Sequence, residues 1–152
     1  MSIEARIPPP VVAVAAAIVI WGISRLAPRV ATLPDVHSAL SLAIAAAGVA
    51  CSVAGVLSFR RARTTLNPTR PEDASSLVRS GIYRFTRNPM YLGLALVLVA
   101  WAVFLSSAWA LLGVAAFVLY MSRFQIVPEE RALSTLFGSE FESYKARVRR
   151  WL

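Results

Sequence analysis

Three long uncharged stretches set the hydrophobic pattern of this chain. Ile7 to Ser24 runs 18 residues without a charge, Ser38 to Phe59 runs 22, and Asn88 to Ser122 runs 35. A bilayer core takes about 20 apolar residues of helix. The first two stretches each predict one span, over residues 8–26 and 37–59. The third is too long for a single crossing. Leu105-Ser106-Ser107-Ala108-Trp109 interrupts it near the middle, joining a serine pair suited to cap a helix with a tryptophan suited to the interface. The pattern predicts a tight hairpin, 89–105 and 107–127. The expected fold is all-α: an integral membrane protein of four transmembrane helices, in one domain over 1–152, with short cytoplasmic C-terminal helices over 128–152.

Composition agrees. The chain is 57% hydrophobic with a mean hydropathy of +0.61, beyond the range of an ordinary soluble domain. The N-terminal segment lacks the basic start of a cleaved signal peptide, and Pro8-Pro9-Pro10 fits the entry to a helix. Net charge is +8, and its placement matters more than its size. Seven arginines lie between the second and third stretches, six basic residues follow the fourth predicted span's core, and together they make 13 of 16. The positive-inside rule makes that side, and both termini, cytoplasmic. A bacterial inner-membrane location is expected. Charge flanking membrane spans suits anionic lipid headgroups and gives no reason to expect nucleic acid. Cys51 is alone, inside a span, so no disulfide or zinc framework is expected.

The second span carries Ala45, Ala46, Ala47, Gly48, Ala50, Ser52, Ala54 and Gly55, a surface for close helix packing. His37 is expected as a solvated residue of the short outer loop. The inner loop, Arg60 to Arg87, holds the turn signals Thr64–Pro68 and Arg70–Asp73, then an apolar Leu77–Tyr83 able to dip into the interface. Pro128 predicts the first position of a new helix that stops at Gly138. Ser139-Glu140-Phe141-Glu142 has a capping-box pattern. Phe137, Phe141, Tyr144, Val148 and Trp151 recur at helical spacing, predicting a stripe that lies on the membrane.

Candidate chemistry concentrates at one membrane face. No dinucleotide, phosphate-loop or HExxH motif is present, and one His with one Cys makes no metal site. Tyr83, Arg87, Asn88, Tyr91, Glu129 and Glu130 remain. A hairpin brings the start of one helix beside the end of the next, so Arg87 is expected near Glu129. An ion pair anchoring the hairpin is one reading. The other is a site for a zwitterionic cofactor, which needs a cation, an acid and aromatic faces.

At these residues the chain resembles the isoprenylcysteine carboxyl methyltransferase and phospholipid methyltransferase superfamily. The resemblance rests on Leu77-Val78-x-Ser80-Gly81-Ile82-Tyr83, Arg87-Asn88-Pro89-Met90-Tyr91-Leu92-Gly93, Glu129-Glu130-x-x-Leu133, Phe137-Gly138 and Tyr144, over about Thr65 to Leu152. It implies an integral-membrane methyltransferase using S-adenosylmethionine. Carried over position by position, it assigns cofactor binding to Ser75, Ser76, Leu77, Val78, Tyr83, Asn88, Pro89, Met90, Tyr91 and Glu129. Arg87, Tyr91 and Glu130 are the expected catalytic residues, and Arg123 and Gln125 the expected acceptor-binding residues. Two departures bear on the acceptor. Ser75 and Asn88 stand where the carboxyl methyltransferases have histidines. Gln125 stands where they have the arginine that holds the acceptor carboxylate. A phospholipid amine or a thiol fits this chain as well as, or better than, a prenylcysteine-like carboxylate. A sterol-reductase-like relative and a non-enzymatic membrane scaffold are the competing readings.

Overall fold

The computed structural model describes residues 7–28, 30, 34–62 and 76–152. The turn signals at 64–68 and 70–73, and Ser75, lie outside the described residues. Among the described residues the structure is helical, with no strand. The helices are α1 (Pro9–Leu26), α2 (Pro34–Ala62), α3 (Pro89–Phe104), α4 (Leu111–Met121), α5 (Val127–Phe137) and α6 (Ser139–Arg147). A 3-10 turn, Gly81–Arg84, precedes α3, and a second, Ala108–Ala110, leads into α4.

Three helical stretches are long and apolar enough to cross a membrane: Pro9–Leu26, Asp35–Ala62 and the 30-residue run Ala108–Phe137. α3 is shorter, 16 residues, and is the most enclosed of the apolar helices. It packs against α1, α2 and α4. Tyr91, Ala95, Leu98 and Ala102 of α3 join Ile20 of α1 and Val114, Phe117 and Met121 of α4 in one buried cluster. The outward faces of α1 and α2 keep Val14, Ile18, Leu42 and Val49 exposed, an arrangement suited to lipid.

Small residues let α2 and α3 touch backbone to backbone. A Cβ on Gly93 would lie 2.0 Å from Ser52 Oγ and 2.4 Å from the Gly48 carbonyl oxygen. Ser52 Oγ and Cys51 Sγ donate to the carbonyls of Met90 (3.3 Å) and Pro89 (3.2 Å), so these two polar groups of α2 are spent on the first turn of α3. On the other side, Trp101 Nε1 donates to the Ala17 carbonyl of α1 at 3.1 Å.

Several local expectations are corrected. The serine pair does not cap α4. Ser106 turns the chain with φ +52°, and Ser107 Oγ is buried without a partner. His37 is not a solvated loop residue. It lies in the first turns of α2, half-buried, with Nε2 against the Val103 carbonyl and 3.0 Å from Ser106 Oγ, fastening α2 to the hairpin turn. Pro128 stands in the first turn of α5, and α5 stops at Gly138, both as expected, but α5 follows the preceding helix without a break. Pro128 has no N–H for the Phe124 carbonyl, and a π turn over Ser122–Ile126 opens the backbone there while the helix runs on into α5. Ser139 makes no capping box, because Gly138 occupies the cap position and no side chain caps α6. The aromatic stripe does not lie on a membrane. Phe141, Tyr144 and Val148 are buried against Leu77, Leu133 and Phe137. The apolar loop segment absorbs the face that the sequence pattern left unpartnered.

Candidate functional site

The site is built where α3 begins, α5 begins and the segment after α6 returns. Pro89 opens α3 at its first position, where its missing N–H costs no helical bond. Tyr91 follows, 5% exposed, and its hydroxyl donates to Oε1 of Glu129. Glu129 Oε2 has no hydrogen-bond partner among the described residues.

Glu130, one residue on, faces a different environment. Its Oε1 accepts from Arg87 Nη2 at 2.7 Å and from Arg150 Nε at 3.1 Å, and its Oε2 from Arg150 Nη2 at 2.6 Å. The side chains of Arg87 and Glu130 are 11% and 13% exposed. Arg87 therefore pairs with Glu130 and not with Glu129. Two consecutive helical residues point about 100° apart, so one loop arginine cannot serve both.

Arg87 has further partners. Nη1 donates to the carbonyls of Lys145 (3.1 Å) and Val148 (2.6 Å), which lie at the end of α6. Its backbone N–H donates to the Arg149 carbonyl at 3.0 Å. Nε is buried without a partner among the described residues. Asn88 Nδ2 and Thr86 Oγ1 both donate to the Arg150 carbonyl, at 2.9 and 3.3 Å. The mouth of α3 is thus closed by residues 148–150, mostly through their carbonyls. Arg150 and Thr86 are the parts of this network that sequence reasoning missed. The Arg149-Arg150-Trp151 run was a signal for Arg150.

The other expected site residues separate into groups. Ser76 Oγ reaches the Ala62 carbonyl at 3.4 Å, Leu77 packs in the α6 cluster, and Val78 is buried. Tyr83 is buried, edge-on to Phe59 with ring centroids 5.4 Å apart, and its carbonyl accepts from the Tyr144 hydroxyl at 2.7 Å. Burial pushes the Tyr144 phenol up to about 12, so it is a neutral donor at physiological pH. Met90 and Pro89 give their carbonyls to α2. Gln125 and Arg123 diverge. Gln125 is 1% exposed and donates from Nε2 to the Ile7 carbonyl at 2.6 Å, leaving Oε1 buried and without a partner among the described residues. Arg123 is exposed, its guanidinium 5.5 Å from the Phe124 ring centroid.

This constellation falls inside a recognised family. The phospholipid methyltransferase model matches residues 36–140, from the start of α2 into α6. The chain belongs to the phospholipid methyltransferase family. Membership makes it a membrane methyltransferase, as the resemblance in its motifs implied. An uncharacterized protein of Haemophilus influenzae is 49% identical over 63 residues, 41% of this chain and 100% of that one. Methanethiol S-methyltransferase 1 of Bradyrhizobium diazoefficiens is 40% identical over 67 residues, 44% of this chain. This chain spans only 22% of that methyltransferase's length. No solved structure matches.

Proposed function

We propose that this phospholipid methyltransferase family member transfers a methyl group from S-adenosylmethionine to a lipophilic or amphipathic acceptor that enters from the bilayer. The observation that carries the reading is the Tyr91–Glu129 pair: a carboxylate held by one oxygen, its other oxygen without a partner among the described residues. Such an oxygen suits an ammonium or a ribose hydroxyl, and a held carboxylate needs little reorganisation to accept it. The residues present fit the cofactor in chemical type. Glu129 offers the anion, Tyr83 and Tyr91 offer aromatic rings, and Ser76, Leu77, Val78, Asn88, Pro89 and Met90 are the other described residues assigned to it.

When bound, the cofactor's sulfonium supplies both the methyl group and its leaving group. The work left to this chain is alignment and exclusion of water. Tyr91 orients Glu129. Arg87 and Arg150 hold Glu130 and bind the segment after α6 across the mouth of α3, so we assign Arg87 and Glu130 a positioning share of the catalytic task. If the acceptor is an ammonium, it first loses a proton, and Glu129 or Tyr91 assists. A thiolate needs no such help.

The acceptor reading favours an amine or a thiol over a carboxylate. Gln125 and Arg123 are the residues assigned to it. Gln125 presents a carbonyl oxygen without a partner among the described residues, which accepts from an N–H or S–H and repels a carboxylate. The similarity to a protein named for methanethiol keeps a thiol in view. In the bilayer, α3 is the third of four spans in chain order, with both termini on the cytoplasmic side of a bacterial inner membrane. Its 16 residues reach about 24 Å and cross with help from the turns at either end.

The test is transfer of labelled methyl from S-adenosylmethionine by the purified, reconstituted chain into phospholipid, thiol and prenylcysteine acceptors. Incorporation into a lipid amine or thiol, with little into a farnesylcysteine analogue, is the expected result. No incorporation into any of the three overturns the proposal.

A further inference from the structure

A cleft lined by neither Tyr91 nor Glu129 lies beside α6. Its volume is about 560 Å³, and it is lined by Arg79, Ser80, Arg84, Tyr144, Arg147 and Val148. None of these belongs to the cofactor or acceptor assignments above. Tyr144 and Val148 are buried, whereas Arg79, Arg84 and Arg147 are exposed, so an apolar base carries a rim of three cations. One carboxylate competes for the rim: Glu140 accepts from Arg79 Nη2 at 2.9 Å. Arg147 Nε donates to the Ser143 carbonyl at 3.1 Å, which leaves its terminal nitrogens available, and Arg84 has no ion-pair partner among the described residues. Positive charge is in excess, with a backbone-spaced hydroxyl, Ser80, beside it.

The place of the cleft identifies what neutralises it. The 3-10 turn Gly81–Arg84 lies against the end of α2: a Cβ on Gly81 would come 3.0 Å from Ser58 Oγ, and Tyr83 meets Phe59 edge-on. α2 is one of the stretches long enough to cross a membrane, and its last turn carries Arg60 and Arg61. The cleft therefore opens beside a membrane-crossing helix at its basic end. Phe85, next to Arg84, is 73% exposed, an apolar ring beside the cations at that level. Guanidinium groups bind phosphate oxygens in paired, planar hydrogen bonds, and a basic rim at a membrane surface gathers anionic lipid.

We propose that this cleft binds the phosphate of an anionic phospholipid headgroup, with Arg79, Arg84 and Arg147 as its ligands and Phe85 in the adjoining interface. The bound lipid ties the loop and α6 to the membrane next to the methyl-transfer site. The proposal is independent of the acceptor and of turnover.

The experiment titrates the full chain in neutral detergent with dioctanoyl phosphatidylglycerol, dioctanoyl phosphatidylcholine and inorganic phosphate, by calorimetry. Saturable binding of the phosphatidylglycerol, at least tenfold tighter than either other probe, is expected. The double variant Arg84→Gln with Arg147→Gln, both exposed, should weaken it about thirtyfold, the effect of two cations at a membrane-type surface. Glu140→Gln removes the competing carboxylate and should tighten binding, a gain that misfolding cannot imitate. Phosphatidylcholine binding equal to phosphatidylglycerol overturns the proposal, as does a double variant with undiminished affinity. Inorganic phosphate binding as tightly as the lipid overturns the assignment to a lipid.

Discussion

Glu129 and Glu130 are sequence neighbours with opposite surroundings. Glu130 is neutralised by two guanidinium groups, whereas Glu129 meets a single phenol and keeps an oxygen open. Their replacement by glutamine should therefore separate. Glu129→Gln should lower S-adenosylmethionine affinity by roughly 1.5–3 kcal/mol, the scale of a charge-assisted hydrogen bond, without lowering the melting temperature. Saturation binding beside a thermal melt checks both halves, and unchanged affinity rejects the cofactor role. Arg87→Lys should do the reverse. Lysine keeps the charge but cannot reach Glu130, Lys145 and Val148 from one planar fork. We expect a loss of roughly 1–3 kcal/mol in stability, read as a lowered melting temperature, and reduced methyl transfer as the mouth of α3 loosens. The residue types of this cluster were legible in the sequence, since charges at the edge of an apolar run are costly unless used. The pairing was not. It depends on which way each residue of a helix turn points, and on the backbone carbonyls of Lys145, Val148 and Arg150, groups that every residue possesses and no composition reveals.

At the scale of elements, the spacing of charge announced the helices and the small residues announced their contact. The break between α3 and α4 falls at Leu105–Ser107, inside the motif that predicted it, although a positive φ at Ser106 makes the turn and no serine caps a helix. What the pattern could not convey is which helix is central. α3 and α4 are similarly apolar, and only packing distinguishes a helix surrounded by three others from one with a lipid face. Gly93 tests that centrality. An added methyl at Gly93 meets the Gly48 carbonyl oxygen and the Ser52 backbone nitrogen, neither of which can yield without parting α2 from α3. Gly93→Ala should destabilise the protein by roughly 1–3 kcal/mol. Gly22→Ala meets nothing within 4 Å and should be neutral or slightly stabilising, because alanine is the better helix former. Equal melting temperatures for the two variants would show that the α2–α3 contact is looser than described.

At the scale of the whole molecule, the proposed orientation rests on the basic residues, and the returning chain closes the mouth of α3. Reporter fusions at Pro28, between α1 and α2, and after α6 should report opposite sides of the membrane, with the α6 side cytoplasmic. The same side for both would exclude the proposed arrangement of spans. The packing of α6 against Leu77 was hidden from the sequence because an amphipathic stripe fits a membrane or a protein partner equally well. Its consequence concerns the order of synthesis. Asn88 and the Arg150 carbonyl that it binds are 62 residues apart. A ribosome adding about 5–20 residues per second leaves Asn88 waiting roughly 3–12 s for that partner. During this interval Thr86, Arg87 and Asn88 lack the carbonyls of residues 148–150 that they bond in the finished fold. The newborn protein is thus a membrane hairpin before it is an enzyme, and a chain halted before Val148 would insert with its doorway unbuilt.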